Sequence, residues 1–340
     1  MITRELLEKE KQKYEELVNH PLQSWHWGSF REKTGIEVVR LGVFDGQNLV
    51  SAYQLTIHKI PKTNFSIGYF PKGPKPTKEM IAALKKLGKE KNLIFIKLEP
   101  NLIINDKNSF NNQSLGLVEG KPFFTKYTFH LNLQASDEEL LAKMKSKTRY
   151  NLKLSKKHNV KVTEDNSDKA FEEYLGLMWG TTKRQGFFAH SKDYHRKMWQ
   201  ILSSKKIAHL LTAKQSARGG AKTLAAWVLF KFKNILYYPY GGSTRDQKNI
   251  MASYAMMWEA IQFGKREDCK TFDLWGTLGP TPDKNDPWYG FHHFKEGFGP
   301  EMVEFAGTYD LVINPSLYSL YKIADSVRWK FLKLKTKLPI

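Results

Sequence analysis

One succession of hydrophobic segments occurs twice in this chain, and that repeat limits the fold more than any other feature. In the first copy Val38–Phe44 reads as a strand, Asp45-Gly46-Gln47-Asn48 as a turn and Val50–Ile57 as the returning strand. Phe65–Phe70 follows as a third strand that ends on Pro71-Lys72-Gly73-Pro74. A helix is expected over residues 78–91, and a strand Leu93–Leu98 stops at Glu99-Pro100. The second copy runs Ala208–Ala213, a turn at Arg218-Gly219-Gly220, Leu224–Phe232, and Ile235–Tyr240 ending on Gly241-Gly242-Ser243. A helix over residues 250–267 and a strand Thr271–Trp275 complete it, and residues 215–222 read as a loop. The chain has 340 residues, 41% hydrophobic and 13% aromatic, which is enough for two cores and excludes a disordered chain.

Hairpin, aromatic strand, glycine, helix, strand is the element order of the acyltransferase fold of the GNAT superfamily. The expected class is therefore α/β, with two tandem copies of that unit built on mixed sheets. Such an analogy fixes no chemistry. An acyl-CoA enzyme needs glycines at a helix N-terminus so that backbone N–H groups can reach a pyrophosphate. The turn Arg245–Ala252 has none, and Lys75-Pro76-Thr77-Lys78 enters its helix through a proline that lacks an N–H, so the expected donor is not CoA. No Gly-x-Ser-x-Gly elbow, Walker loop or His-Glu-x-x-His helix occurs. A lone Cys269 makes neither an internal disulfide nor a cysteine zinc site, and the neighbours His292 and His293 would face opposite ways on a strand, so no metal is expected.

Charge points to polyanionic partners. Lys and Arg number 54 against 34 Asp and Glu, a net +20 that favours nucleic acid, anionic lipid or phosphorylated substrates without choosing among them. Between the two copies, Ser136-x-x-Glu139 has the form of a capping box, a second helix is expected from Ser146, and Asn159 is placed to end it in a left-handed conformation. From Lys143 to Lys161 there are eight basic residues and no acid, which reads either as a polyanion-binding stripe or as a solvated helix face. The segment Leu320–Ile340 mixes Tyr321, Ile323, Val327, Trp329 and Phe331 with basic residues opposed only by Asp325; it suits a membrane interface or a helix docked on the protein. No apolar run reaches the roughly 20 residues of a membrane span, and Met1–Glu16 has no signal-peptide core, so the expected location is the cytoplasm.

The stretch Asp286–Gly299 (DPWYGFHHFKEGFG) places one lysine among aromatics and glycines. A desolvated Lys295 there could stabilise an oxyanion; a packed aromatic loop with a snorkelling lysine is the plainer reading.

In order along the chain, Gln23–Arg31 (QSWHWGSFR), Lys97–Pro100 (KLEP), Lys147–Leu152 (KTRYNL), Gly186–Tyr194 (GFFAHSKDY), Tyr240–Ser243 (YGGS), Phe272–Gly276 (FDLWG) and Gly290–Gly299 (GFHHFKEGFG) resemble the signatures of the Fem family, the peptidoglycan interpeptide-bridge aminoacyltransferases. The resemblance covers about Pro21 to Tyr321. It implies two GNAT-like domains with a cleft between them: residues 1–135 with 309–340 returning to them, and residues 136–308. It also implies a monomer that needs no metal or organic cofactor. One substrate would be an aminoacyl-tRNA and the other a UDP-linked or lipid-linked muramyl-pentapeptide, whose stem-peptide amine attacks the tRNA ester. Peripheral contact with an anionic membrane at its inner face is expected separately, from the basic and aromatic segment Leu320–Ile340. By position, Lys295 corresponds to the family's oxyanion-stabilising lysine with Phe294 beside it, Glu99 to an acid placed to accept a proton, and Arg31, His190, Tyr194 and Tyr240 to substrate-binding residues. The basic stripe with Lys143, Lys145, Lys147, Arg149 and Lys153 is assigned to tRNA. His190 stands where the family leads one to expect arginine, and Lys192–Lys206 leaves no room for the coiled-coil arm of some members. Two alternatives stay open: a same-fold amide-forming transferase acting on another envelope polymer or a protein N-terminus, and a non-catalytic RNA- or envelope-binding protein.

Overall fold

The computed structural model describes residues 1–105, 110–185, 190–217, 220–245 and 247–335, without the side chains of residues 185, 216–217, 220 and 329–335. The chain divides into two compact units, Met1–Phe124 with Phe305–Ile340, and Thr125–Glu304. The sequence reading put these divisions at residues 136 and 309. The expected turn residues Arg218 and Gly219, the signature residues Gly186–Ala189 and the side chains of Trp329 and Phe331 lie outside the described residues.

The first unit opens with β1 (Ile2–Glu5), α1 (Lys11–Leu17) and α2 (Trp25–Lys33), followed by β2 (Glu37–Asp45), β3 (Asn48–Lys59), β4 (Ser66–Pro71), α3 (Lys78–Glu90), β5 (Leu93–Glu99) and the short β6 (Val118–Glu119). The β2–β3 turn pairs Asp45 with Asn48, and Gly46 supplies the left-handed residue at φ +58°. Thr77 caps α3 by accepting from the Met80 amide, and Met80, Ile81, Leu84 and Leu87 recur at helical spacing to bury one face. The QSWHWGSFR block works by docking α2. Gln23 Nε2 donates to the Gln54 and Pro71 carbonyls, its Oε1 accepts from the Gln54 amide, and Ser24 caps the helix. Gly28 admits the Gln54 and Arg40 side chains where a Cβ would collide with both.

The second unit contains β7 (Tyr127–Asn132), α4 (Asp137–Lys143), α5 (Ser146–Lys157), β8 (Val160–Glu164), α6 (Asp168–Gln185), α7 (Lys192–Ser203), β9 (Ala208–Ala217), β10 (Gly220–Phe232), β11 (Ile235–Ser243), α8 (Ala252–Arg266), β12 (Thr271–Asp273), α9 (Tyr289–Glu296) and β13 (Glu301–Glu304). The capping box forms as the sequence predicts: Ser136 Oγ accepts from the Glu139 amide while Glu139 accepts from the Ser136 amide. Asn159 follows α5 at φ +54°. The chain then returns to the first unit with β14 (Tyr309–Val312) and α10 (Pro315–Lys335).

Sheet order is β1-β2-β3-β4-β5-β14-β6 in the first unit and, read in the matching direction, β8-β9-β10-β11-β12-β7-β13 in the second. The pairings agree position by position. β4–β5 and β11–β12 are parallel, and every other neighbouring pair is antiparallel. Both units are thus mixed α/β sheets of the expected acyltransferase order. The difference lies in the sixth position, which the first unit fills with a strand that follows the second unit in sequence, and the second unit with a strand that precedes its own repeat.

Two local expectations change. Residues 215–222 are mostly paired strand rather than loop, with Ala217 opposite Gly220 and Gln215 opposite Lys222. Residues 289–296, expected as an aromatic loop, form a helix. Aromatic periodicity hid this, because the buried residues His292 and Lys295 recur at helical spacing yet neither is apolar.

Candidate active site

Lys295 lies in the last turn of α9 and is only 7% exposed. Its Nζ donates to the Gly276 carbonyl at 2.8 Å and sits 5.8 Å from the centroid of the Tyr238 ring. Among the described residues it makes no ion pair. Burial lowers its pKa to about 8, and the charge of Asp273 partly opposes this. Phe294 packs edge-on against Trp227, Tyr254 and Phe298, and Trp227 in turn stacks on Tyr238, the ring beside the ammonium.

The carbonyl that receives Lys295 is held by the Phe272–Gly276 signature, a motif with no role legible in the sequence, together with Thr128 and His130, which the sequence does not single out. β12 ends at Asp273, and the next turn puts Trp275 at φ +60° and Gly276 at φ +105°. Asp273 Oδ1 accepts from the Trp275 amide at 2.8 Å and from the Thr128 hydroxyl at 2.6 Å; Thr128 in turn accepts from the Gly276 amide at 2.9 Å. His130 Nε2 is 3.3 Å from Oδ2. Burial alone would raise the Asp273 carboxyl, but His130, Thr128 and the Trp275 amide hold it at about 2, so it stays ionised. A β-carbon at Gly276 would lie 2.4 Å from Thr125 Oγ1. Thr277 Oγ1 and His292 Nδ1, 2.7 Å apart, join the same turn to α9.

Three expected substrate residues in this unit gather around a fourth. The His190 ring stacks on Tyr194 at 3.8 Å, and both flank His195, whose ring meets Tyr240 edge-on at 4.8 Å. Tyr174 on α6 closes the group, its hydroxyl 3.4 Å from His195 Nδ1. Burial, then the charge of His190, pushes His195 down to about 4. His195 was invisible in the sequence because one histidine on an amphipathic helix looks like any core position.

The basic stripe is uneven. Lys143, Lys147, Lys153, Lys156, Lys157 and Lys161 are exposed, with Tyr150 exposed among them. Lys145 instead pairs with Glu296 at 2.6 Å, and the Arg149 guanidinium turns back onto the carbonyls of Leu141, Ala142 and Met144, where it caps α4.

Arg31 and Glu99 belong to the first unit. Burial, with the Arg31 charge, lowers His58 to about 4, and His58 Nε2 is 2.9 Å from the hydroxyl of Thr56. Thr56 pairs with Tyr69, and the Tyr69 hydroxyl donates to Glu99 Oε2 at 2.6 Å. Glu99 Oε1 accepts from the Phe123 and Phe124 amides and from the Thr308 hydroxyl. A carboxylate holding four donors ties the end of β5 to two distant segments. Elsewhere in this unit a cavity of about 410 Å³ lies among Phe95, Lys97, Phe123, Asp310, Tyr318 and Tyr321, and its buried charges are matched by the Lys97–Asp310 pair at 2.7 Å. Among the described residues no group of three or more His, Cys, Asp or Glu is arranged to hold a metal, and no helix is long and apolar enough to cross a membrane.

The FemAB family model matches residues 6–122, 119–218 and 200–326. The chain is 22% identical over 395 residues to the lipid II:glycine glycyltransferase of Staphylococcus haemolyticus, covering 93% of each. It is 22% identical over 404 residues to that of Staphylococcus aureus, covering 94% of each. The crystal structure of FemX superposes with a TM-score of 0.82 at 20% identity, over 94% of this chain and 99% of that one, which establishes the shared fold.

Proposed function

The chain belongs to the FemAB family, and on that premise we propose that it transfers an aminoacyl group from a charged tRNA to the stem peptide of a lipid-linked peptidoglycan precursor. The observation that carries the reading is Lys295, a buried ammonium that donates to a carbonyl and lies beside the Tyr238 ring. A peptide amine attacks the ester carbonyl, the new C–N bond forms, negative charge grows on the carbonyl oxygen, and the C–O bond to the tRNA ribose breaks. The amine's proton ends on the departing hydroxyl. An ammonium fixed in a water-poor site stabilises that developing charge more than the ground state. The turn held by Asp273 and Thr128 keeps it in place. His190, Tyr194 and Tyr240 orient substrate, Arg31 meets the carrier's phosphates, and Glu99 anchors its loop rather than taking the proton. The exposed Lys143, Lys147 and Lys153 contact tRNA; Lys145 and Arg149, engaged within the protein, contribute less. The lipid-linked carrier, rather than a UDP-linked one, is supported by the names of the staphylococcal relatives.

Incubation with a mixed pool of charged tRNAs and lipid-linked muramyl-pentapeptide, read by mass spectrometry, tests the reaction. Lys295→Met should lower single-turnover transfer about a hundredfold, or about 3 kcal/mol, with carrier binding nearly unchanged. Transfer by this variant at the wild-type rate would leave the lysine structural, whereas absence of transfer by the wild-type chain would favour a binding protein. Reversing Lys147 and Lys153 to Glu should flatten the salt dependence of tRNA binding, by roughly 0.7–0.9 in log–log slope per lost phosphate contact.

A further inference from the structure

Helix α10 carries two apolar faces, and among the described residues only one of them is covered. Leu317, Tyr318 and Tyr321 pack against Ile94 and Phe95, with the Tyr318 and Tyr321 rings 5.2 and 5.1 Å from that of Phe95. Asp325, two turns beyond Tyr318, faces the same way and pairs with Lys121 at 3.3 Å. At 100° per residue, Leu320, Ile323 and Val327 fall on the opposite side, within about 60° of one another. They are 62%, 64% and 61% exposed. A continuous apolar stripe left in water on a helix already docked by its other face calls for an occupant.

We propose that this stripe docks onto an anionic lipid surface. The charge of the helix selects that occupant: Pro315–Lys335 contains Lys322, Arg328, Lys330, Lys333 and Lys335 against one acid, and that acid, Asp325, is engaged with Lys121. Lys322 and Arg328 are exposed, each more than about 100° round the helix from the centre of the stripe, with Lys322 Nζ 5.6 Å from the centroid of the Tyr318 ring. A basic helix with one exposed apolar ridge lies in a headgroup layer with the ridge at the acyl boundary, and long basic side chains on the rest of the helix reach lipid phosphates through their flexible stems. In the sequence the same spacing continues with Phe331 and Leu334. The inference rests on the reading of a lipid-linked substrate only for its purpose, which is to hold the enzyme where that substrate is; the surface itself is argued from α10.

Flotation of the full chain with phosphatidylcholine vesicles, alone and with about one-third phosphatidylglycerol, reads the interaction without any transfer chemistry. The wild-type chain should float with the anionic vesicles and much less with the neutral ones. Leu320→Gln, Ile323→Gln and Val327→Gln together should lower partitioning by at least about tenfold, with circular dichroism and the urea midpoint unchanged, because all three side chains already face water. Lys322→Glu with Arg328→Glu should remove the preference for anionic lipid. Failure of the wild-type chain to float with either vesicle, or flotation of the triple variant at wild-type level, overturns the proposal. So does a dimer in sedimentation that the triple variant abolishes, since the stripe then seats a second copy of the chain. A chain that floats as expected yet transfers nothing would sink the enzymatic reading alone.

Discussion

The two units share one strand order and each buries a lysine, but they treat it in opposite ways. Lys97 on β5 is 4% exposed and its Nζ meets Asp310 Oδ1 at 2.7 Å, with the Tyr318 hydroxyl on the other carboxylate oxygen. Asp310 lies on β14, directly opposite Lys97 in register, so the sixth strand neutralises the charge. Lys295 is buried to a similar degree, and its contact is a carbonyl; the carboxylate of Asp273 is committed to Thr128, Trp275 and His130. A paired ammonium is architecture. One held without its own counter-ion is a source of positive potential, kept at a cost to stability that the rest of the fold offsets.

The largest expected effect tests that contrast directly. Lys97→Met leaves Asp310 buried without its cation and should lower unfolding free energy by about 3–5 kcal/mol. Lys295→Met should do the reverse at neutral pH and raise stability by about 1–2 kcal/mol, less than the full desolvation relief because the Gly276 carbonyl loses its donor. The sign follows from linkage. The folded-state pKa of Lys295 is about 8, below its unfolded value of 10.5, so between those pH values the unfolded chain binds more protons. Wild-type stability should therefore rise from about pH 8 to pH 10.5, and the Met variant should lack that rise. Urea denaturation at several pH values measures both. Equal losses from the two substitutions would erase the distinction between the units.

How much of this the sequence revealed depends on how local each feature is. Strands β2–β5 and β9–β12 and helices α3 and α8 were legible, because each is a short run with its own turn, cap or periodicity. The sixth strands were not. β14 reaches β5 across the whole second unit, pairing Tyr309 with Leu98, and nothing in a four-residue run announces a partner so far away. The candidate site divides in the same way. Lys295, Phe294, Tyr194, Tyr240 and Asp273 stood in motifs that could be matched, whereas Thr128, which clamps Asp273 from a strand 145 residues away, stood in none. Within the stripe from Lys143 to Lys161 the sequence could not show that Lys145 gains an acid, because its partner Glu296 lies far along the chain.

A second test asks where the units are alike. His58 in the first and His195 in the second are both lowered to about 4, each chiefly by burial. For such a group the unfolded chain binds the proton first as pH falls. Stability is full above the unfolded value of 6.5 and is lost as pH drops towards 4. His195, 1% exposed, should account for a loss of about 2 kcal/mol by roughly pH 5. His195→Phe should flatten the acid limb of urea stability by that amount, even if its stability at neutral pH is lower because the Tyr174 contact is gone. An unchanged acid limb would mean that the imidazole takes its proton within the fold, and that water reaches the ring.

The smallest effect separates charge from position at Lys295. Asp273 does two things: its oxygens hold the Trp275–Gly276 turn, and its charge raises the Lys295 pKa against burial. Asp273→Asn keeps an acceptor for the Trp275 amide and the Thr128 hydroxyl but removes the charge. The ammonium should then be lost at lower pH. Transfer, which falls on an alkaline limb at about pH 8 if Lys295 acts as its ammonium, should show that limb moved down by about half to one pH unit, with KM little changed. Thr128→Val does the converse. It cuts the link from Asp273 to the Gly276 amide and leaves the charge in place, so kcat should fall while the limb stays where it is. Two limbs that shift together, or neither, would show that the clamp and the charge cannot be told apart. An alkaline limb insensitive to Asp273→Asn, with Lys295→Met still inactive, would place the titrating group on the substrate amine instead.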